Sequence, residues 1–349
     1  MSTSALLSLL KTALPLIQAP MAGAQGSRLA AAVSQAGALG SLPAALLPPD
    51  ALRAELQRLQ ATGLPYNVNF FCHTPPVSDP ARDAAWRTRL SHRFDAEFGT
   101  DLRHAPGGAG RLPFSAEAAQ LLAEFRPPVV SFHFGLPTPA LLQSVKDWGA
   151  VVMSSATTVE EARWLQAHGA DVVIAQGLEA GGHRGHFLDD DLTRQLGLMA
   201  LLPQVVDAVT VPVVATGGIA DARGVRAAMA LGASGVQVGT AYLLCDEADT
   251  SAVHRRALAG PEAAHTALTN VFTGRPARGV LNRAMREMGP LADDAPRFPL
   301  ATSALAPLRA EAEARDSGDF SPLWAGQAAG LARPKTAAAL TRALAAGLA

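Results

Sequence analysis

Cysteine is nearly missing from this chain: Cys72 and Cys245 are the two in 349 residues. They stand far apart, which excludes a disulfide framework and a cysteine-rich metal site and suits a reducing cytoplasm. An excess of one charge is missing too. Lys and Arg number 29 against 30 Asp and Glu, a net charge of −1, so nucleic acid has no electrostatic footprint to meet. No uninterrupted apolar run reaches about 18 residues, the length a membrane span needs. Met1–Leu16 is apolar, but it lacks a basic leading region and Lys11 interrupts it, which argues against a signal peptide. There is no Gly-x-Gly-x-x-Gly after the first strand and no P-loop, so neither common nucleotide fingerprint is present. The expectation is a soluble, cytoplasmic protein acting on small molecules.

The sequence is 49% hydrophobic, ample for one large domain or two, and its elements alternate. Pro15–Met21 reads as a strand, and Ser27 caps a helix to about Gln35. Ala38–Leu42 is a second strand, followed by an amphipathic helix carrying Leu52, Leu56 and Leu59. Tyr66–Phe71 is a third. Cys72 to about Gly110 then breaks the rhythm, too long for an ordinary strand–helix connection, and reads as a partly helical lid or flap. Regularity resumes with strands at Val129–Gly135, Val151–Ser155, Val172–Ala175, Val211–Ala215 and Gly235–Thr240, each separated by a helical stretch. About eight strand–helix pairs imply a TIM (β/α)8 barrel, which takes about 250 residues. The barrel is placed over 1–244. The Ala-rich remainder, 245–349, reads as a smaller, mainly helical subdomain at the barrel mouth.

Active sites of such barrels lie at the carboxyl ends of the strands. Asp171–Ala175 empties into Gln176-Gly177-Leu178-Glu179-Ala180-Gly181-Gly182-His183-Arg184-Gly185, which sets one imidazole at a strand end. Paired Gly181-Gly182 lets backbone approach a ligand, although a flexible loop with a solvated histidine is the other reading. Gly217-Gly218 follows the seventh strand and Gly239-Thr240 the eighth. Loops at these two positions commonly hold a phosphate with backbone N–H groups and a helix N-terminus; otherwise they are tight turns. Asn69 and Gln176 end strands at the same mouth. Their amides suit a heteroaromatic ring edge such as a flavin's, or are buried and satisfied within the protein. A metal set from Glu179, His183 and His186 is disfavoured, because a glycine-rich loop fixes no ligand face, and no metal is expected.

Several stretches together carry a resemblance. They are Gln18-Ala19-Pro20-Met21-Ala22-Gly23, Asn67–His73, Phe132-His133-Phe134-Gly135, Glu179–Gly185, Ala215–Ile219, Gly235–Tyr242 and Ser321–Gln327. In order and spacing the chain resembles the nitronate monooxygenases, formerly 2-nitropropane dioxygenases, and their class I branch. The resemblance implies FMN across the barrel mouth. Met21, Ala22, Gly23, Asn69 and Gln176 would touch its ring and ribityl chain, Gly181 would line it, and Gly217, Gly218, Gln237, Gly239 and Thr240 would take its phosphate. His183 matches the family's active-site histidine, and His133 falls on a family motif. The implied reaction oxidises an alkyl nitronate, notably propionate 3-nitronate, with O2 to nitrite and a carbonyl product. An imidazole titrating near 6.5 could position the anion or act as a base. An NAD(P)H-dependent flavin reductase of the same superfamily is the alternative, and a non-catalytic flavin-binding protein a further one. A monomer or homodimer is expected. The family often lines its pocket with tyrosines, whereas this chain has two, Tyr66 and Tyr242, both placed in strands. The substrate side is therefore what the resemblance determines least.

Overall fold

The structure, a computed structural model, describes residues 2–104 and 111–348. Eight parallel strands form the centre: β1 (Leu16–Gln18), β2 (Gly40–Pro43), β3 (Tyr66–Phe71), β4 (Val129–His133), β5 (Val151–Ala156), β6 (Val172–Gln176), β8 (Val213–Thr216) and β9 (Gly235–Val238). β7 is the two-residue strand Gly182–His183, which lies outside the barrel. Leu39 N donates to Leu16 O and Gln18 N to Leu39 O, both at 2.9 Å, and this pair of bonds closes the sheet between β1 and β2. The result is a TIM barrel. Its strands are buried on both faces, which is why they read as apolar, β-branched runs rather than alternating ones.

Helices α2 (Ser27–Gln35), α3 (Pro49–Gln60), α5 (Ala116–Phe125), α6 (Pro139–Lys146), α7 (Val159–Ala167), α8 (Leu198–Ala208) and α9 (Ala222–Ala230) flank the barrel. The apolar N-terminal stretch is α1 (Thr3–Leu10), a plug: Leu6 and Leu10 are buried against Ile17, Leu39, Val129, Met153 and Val172. Above this apolar floor lies a polar layer. Asn67 Nδ2 donates to Ser41 Oγ (3.0 Å) and Ser131 Oγ (2.9 Å), and Ser41 N donates to Gln18 Oε1 at 3.0 Å.

Within the inserted segment, α4 (Pro80–Phe98) is capped by Asp79, whose side chain accepts from Arg82 N at 3.0 Å. The end of that segment, 105–110, lies outside the described residues. Trp86, Leu90 and Phe94 of α4 share one core with Phe272, Met285, Leu305, Leu308 and Phe320. The insertion and the tail thus bury the same apolar surface. The tail is helical, with α10 (Ala252–Ala259), α11 (Arg283–Met288), α12 (Thr302–Ala314) and α13 (Ala337–Ala345), except for an antiparallel ribbon of β10 (Thr266–Thr269) and β11 (Ala277–Val280). β11 also pairs with β7, setting Ala277 opposite His183 and Arg278 opposite Gly182. α13 returns to the barrel wall, where Leu340 and Leu344 join its core. Among the described residues no helix is long and apolar enough to cross a membrane.

Candidate active site

The loop leaving β6 is tied down at almost every residue. Arg184 is fully buried; its guanidinium donates to Gly177 O (2.8 Å), Gln176 O (2.9 Å) and Gln195 Oε1 (2.7 Å). Burial pulls its pKa down to about 9, so it remains a cation near neutral pH. Arg278 Nε donates to Leu178 O at 3.0 Å, and Arg275 donates to the carbonyl of His186. Both carboxylate oxygens of Glu179 accept from Leu198 N at 2.9 Å, at the start of α8. A glycine-rich loop is therefore rigid here because arginines from the loop itself and from β11 occupy its carbonyls.

The His183 carbonyl receives two donors, Gln176 Nε2 at 3.0 Å and His133 Nε2 at 3.1 Å. A carbonyl can only accept, so His133 carries its proton on Nε2 and accepts from Ser155 Oγ at Nδ1, 3.1 Å away. Gln176 Oε1 in turn accepts from Gly185 N at 2.8 Å. Burial holds His133 down to about 4. Both side chains border the cavity, yet their polar atoms are engaged in fixing the His183 backbone. Asn69 differs: Nδ2 donates to Ser131 Oγ at 2.9 Å, and among the described residues its Oδ1 has no donor. Gly181 has a different explanation from ligand approach. A Cβ there would stand 2.5 Å from Gly326 N and 2.6 Å from Ala325 C, so the missing side chain makes room for a crossing chain segment. Gly182 has open space and a φ of +72°, where glycine is needed for backbone conformation.

One cavity of about 310 Å³ lies at the carboxyl ends of the strands, and His183, His133, Asn69 and Gln176 border it. Met21, Ala22 and Gly23 form one side, Gly181 another, and Gly217, Gly218, Gln237, Gly239 and Thr240 the far end. Every sequence-selected position therefore meets in a single space. At the far end the N–H groups of Gly217, Gly218 and Gly239 find no acceptor among the described residues. Gln237 Oε1 is buried there without a partner among the described residues. The Asp221 carboxylate already caps α9, accepting from Arg223 N at 2.9 Å, and β9 leads into a short 3-10 turn, Thr240–Leu244. Loop amides, and the start of that 3-10 turn at Gly239-Thr240, are the anion donors here.

The opposite end surrounds His183. Its ring centroid lies 5.3 Å from that of Phe298, 5.5 Å from Trp324, 6.0 Å from Phe134 and 6.2 Å from Phe71. Nε2 is 3.0 Å from Thr273 Oγ1. Burial, then the nearby charge of Arg111 and Arg275, holds the imidazole well below its ordinary 6.5. A neutral ring follows, so the cation expected at His183 is supplied instead by Arg111, which borders the cavity. Arg111, Thr273, Arg275 and Phe298 were not singled out in the sequence. Trp324 belongs to the Ser321–Gln327 motif of the tail, a subdomain expected at the barrel mouth but given no role there. Tyr66 and Tyr242 are buried away from the cavity; Tyr242 lies in the 3-10 turn rather than a strand, its hydroxyl 2.8 Å from Thr341 Oγ1. No group of three or more metal-ligating side chains is clustered among the described residues.

The family model of nitronate monooxygenase matches residues 3–347. The chain belongs to the nitronate monooxygenase family. It is 44% identical over 338 residues to a nitronate monooxygenase of Pseudomonas aeruginosa, covering 95% of each chain. A nitronate monooxygenase of Paraburkholderia phytofirmans is 40% identical, over 96% of this chain and 92% of that one. The solved structure of a nitroalkane oxidase from Streptomyces ansochromogenes superposes with a TM-score of 0.90 at 40% identity, covering 99% and 97%. Family members are flavin-dependent oxidoreductases, and this chain is an enzyme of that kind.

Proposed function

We propose that the cavity binds FMN and that the enzyme oxidises alkyl nitronates, propionate 3-nitronate among them, with O2 to nitrite and a carbonyl product. The observation that carries this reading is the polarity of the one cavity. One end offers three free amides, and the other an imidazole enclosed by aromatic rings and flanked by arginines. The residues present fit the cofactor. The N–H groups of Gly217, Gly218 and Gly239 suit its phosphate, a side chain at Gly217 would crowd Ala180 N at 3.1 Å, and the unpartnered Gln237 Oε1 suits a hydroxyl or N–H donor. The Asn69 amide oxygen suits a ring N–H. When bound, FMN supplies the electron acceptor for the nitronate.

The protein's own contribution is positioning and charge. A nitronate arrives already deprotonated, so it needs a cationic wall and a fixed donor rather than a base. Arg111 supplies positive charge, and Phe71, Phe298 and Trp324 keep water from His183. His183 is held by its carbonyl so that its ring faces the cavity; neutral, it can donate to a nitronate oxygen or accept the α-proton of a neutral nitroalkane. His133 and Gln176 act through that carbonyl. With reduced cysteines and small-molecule partners, the enzyme is assigned to the cytoplasm.

The test begins with the purified protein. Heat-released ligand should be FMN by mass spectrometry, and propionate 3-nitronate should yield nitrite in air. Added anaerobically, the nitronate should bleach the flavin, while NADH should not. Release of FAD, or bleaching by NADH with no response to the nitronate, would transfer the enzyme to the reductase reading.

A further inference from the structure

We infer that Thr273 is a positioning residue that fixes the proton of neutral His183 on Nε2, leaving Nδ1 as the nitrogen that takes the α-proton of a neutral nitroalkane. This rests on the nitronate reading and decides between the two roles open to the imidazole there. Thr273 is 2% exposed, and its Oγ1 stands 3.0 Å from His183 Nε2. A hydroxyl has one proton to give and two lone pairs. Here the proton goes to Arg275 O, 3.3 Å away, a carbonyl with no other donor among the described residues. Oγ1 is then an acceptor toward the ring, and Nε2 must carry the hydrogen between them. Nδ1 has no partner among the described residues and is not enclosed, so it is the nitrogen open to the cavity.

Both sides of this contact are anchored. Gly274 N donates to Asn270 O at 2.7 Å, and the Asn270 side chain bridges to Ala292, donating to its O at 2.9 Å and accepting from its N at 2.8 Å. Arg275 lies 4.2 Å over the Phe134 ring and donates to the carbonyl of His186, which holds in place the acceptor that orients the hydroxyl. Charge favours the same tautomer. Arg111 borders the cavity, and positive charge there prefers a lone pair facing it over an N–H. In the transfer, the α-proton passes to Nδ1 and its bonding pair stays on the substrate, which becomes the nitronate. The resulting imidazolium keeps its Nε2–H on Thr273 Oγ1, so the oxygen serves both protonation states without turning. Its bond is the stronger one when the ring is charged. A substrate supplied as the nitronate skips this step.

The experiment compares wild type with Thr273→Val, which keeps the branched shape without the hydroxyl, and Thr273→Ser, which keeps the hydroxyl, all flavin-loaded. Nitrogen NMR of histidine-labelled protein at neutral pH reads the tautomer, with the His183 signals identified by their loss in His183→Asn. In wild type Nε2 should be protonated and Nδ1 bare; in Thr273→Val the proton should be shared between them. For nitroethane, kcat/KM should fall about 10- to 100-fold in Thr273→Val, as for one lost hydrogen bond to a charged group. For ethyl nitronate it should fall far less, and Thr273→Ser should retain most of both activities. Melting temperature and flavin content report folding; should Thr273→Val fail to fold, the wild-type tautomer alone decides. The reverse tautomer in wild type, either readout unchanged in folded Thr273→Val, or an equal loss in Thr273→Ser overturns the inference. Wild type that turns over ethyl nitronate but not nitroethane also overturns it, while leaving nitronate oxidation standing. Turnover of neither overturns both.

Discussion

Replacing Gly181 with alanine tests the crossing of two chain segments over the cavity. The added Cβ would meet Gly326 N at 2.5 Å and Ala325 C at 2.6 Å, both backbone atoms that no rotamer change can move. Ordinary contact begins at 3.4 Å, so the 325–326 segment must retreat by about 0.9 Å, the difference of those two distances. That shift acts on three hydrogen bonds: Gly326 N to Thr240 Oγ1 (3.0 Å), Gln327 N to Glu179 O (2.9 Å) and Ala325 N to Arg278 O (3.2 Å). Overpacking costs about 1–3 kcal/mol, and partial weakening of these three bonds adds about 2 kcal/mol together, for a total of about 3–5 kcal/mol. Domains have about 5–15 kcal/mol to lose, so the variant should fold but be clearly weakened. Gly182→Ala is the control. It has open space around its Cβ and bears only the left-handed backbone penalty, about 1–2 kcal/mol. Denaturant unfolding and flavin content of both variants provide the assay. Gly181→Ala within about 1 kcal/mol of wild type, or less affected than Gly182→Ala, would refute the steric argument.

Acid should unfold the protein through its buried histidines. Burial lowers His133 and His254 to about 4 and His186 to about 3, against 6.5 when free, so between those values the unfolded chain binds more protons. Stability is complete above about 6.5 and falls with pH by up to about 1.4 kcal/mol per unit per histidine; equal denaturation midpoints at pH 7 and pH 5 would contradict this. For His183 the sign gives the opposite outcome in catalysis. Its depressed pKa keeps the base form present as pH drops through 6.5, so kcat/KM for a neutral nitroalkane should show no loss there attributable to the enzyme. His183→Asn should then reduce turnover of the neutral nitroalkane about 10²–10⁴-fold and that of the nitronate far less, because only the former must shed a proton; equal losses would remove the base role.

The barrel was legible because parallel strands buried on both faces leave an unmistakable apolar pattern. Their upper ends were not. Val129–Gly135 reads as one strand, but Phe134 and Gly135 take φ of 72° and 88° and turn the chain out, leaving β4 to end at His133. Gly235–Thr240 likewise ends at Val238, where the 3-10 turn takes over. Local propensity carries no record of these bends, because they are imposed by packing: Arg275 sits 4.2 Å over the Phe134 ring from a segment well over a hundred residues away. The same reason hides Arg111 and Phe298. Strand ends announce themselves by following a strand, whereas these residues reach the mouth only because the insertion and the tail share a core.

The loop Glu179–Gly185 shows how much of a recognisable motif can be architecture. Glu179 caps α8, Gly181 clears a crossing segment, and Gly182 adopts a backbone that other residues avoid. Arg184 ties the carbonyls of 176 and 177 together, and Gly185 leaves space that a Cβ would contest with His133 Cε1 at 2.8 Å. Each is fixed by a different physical constraint, and all of them act on one placement, that of the His183 backbone. Ala180, Gly181 and Gly182 also line the cavity, but His183 is the residue of this stretch that brings a titratable side chain to it, hydrogen-bonded to Thr273. Much of the motif's specificity therefore comes from the architecture needed to hold one neutral imidazole still in a loop. Gln176 and His133, which border the cavity, both hydrogen-bond to its carbonyl and so belong to that same support.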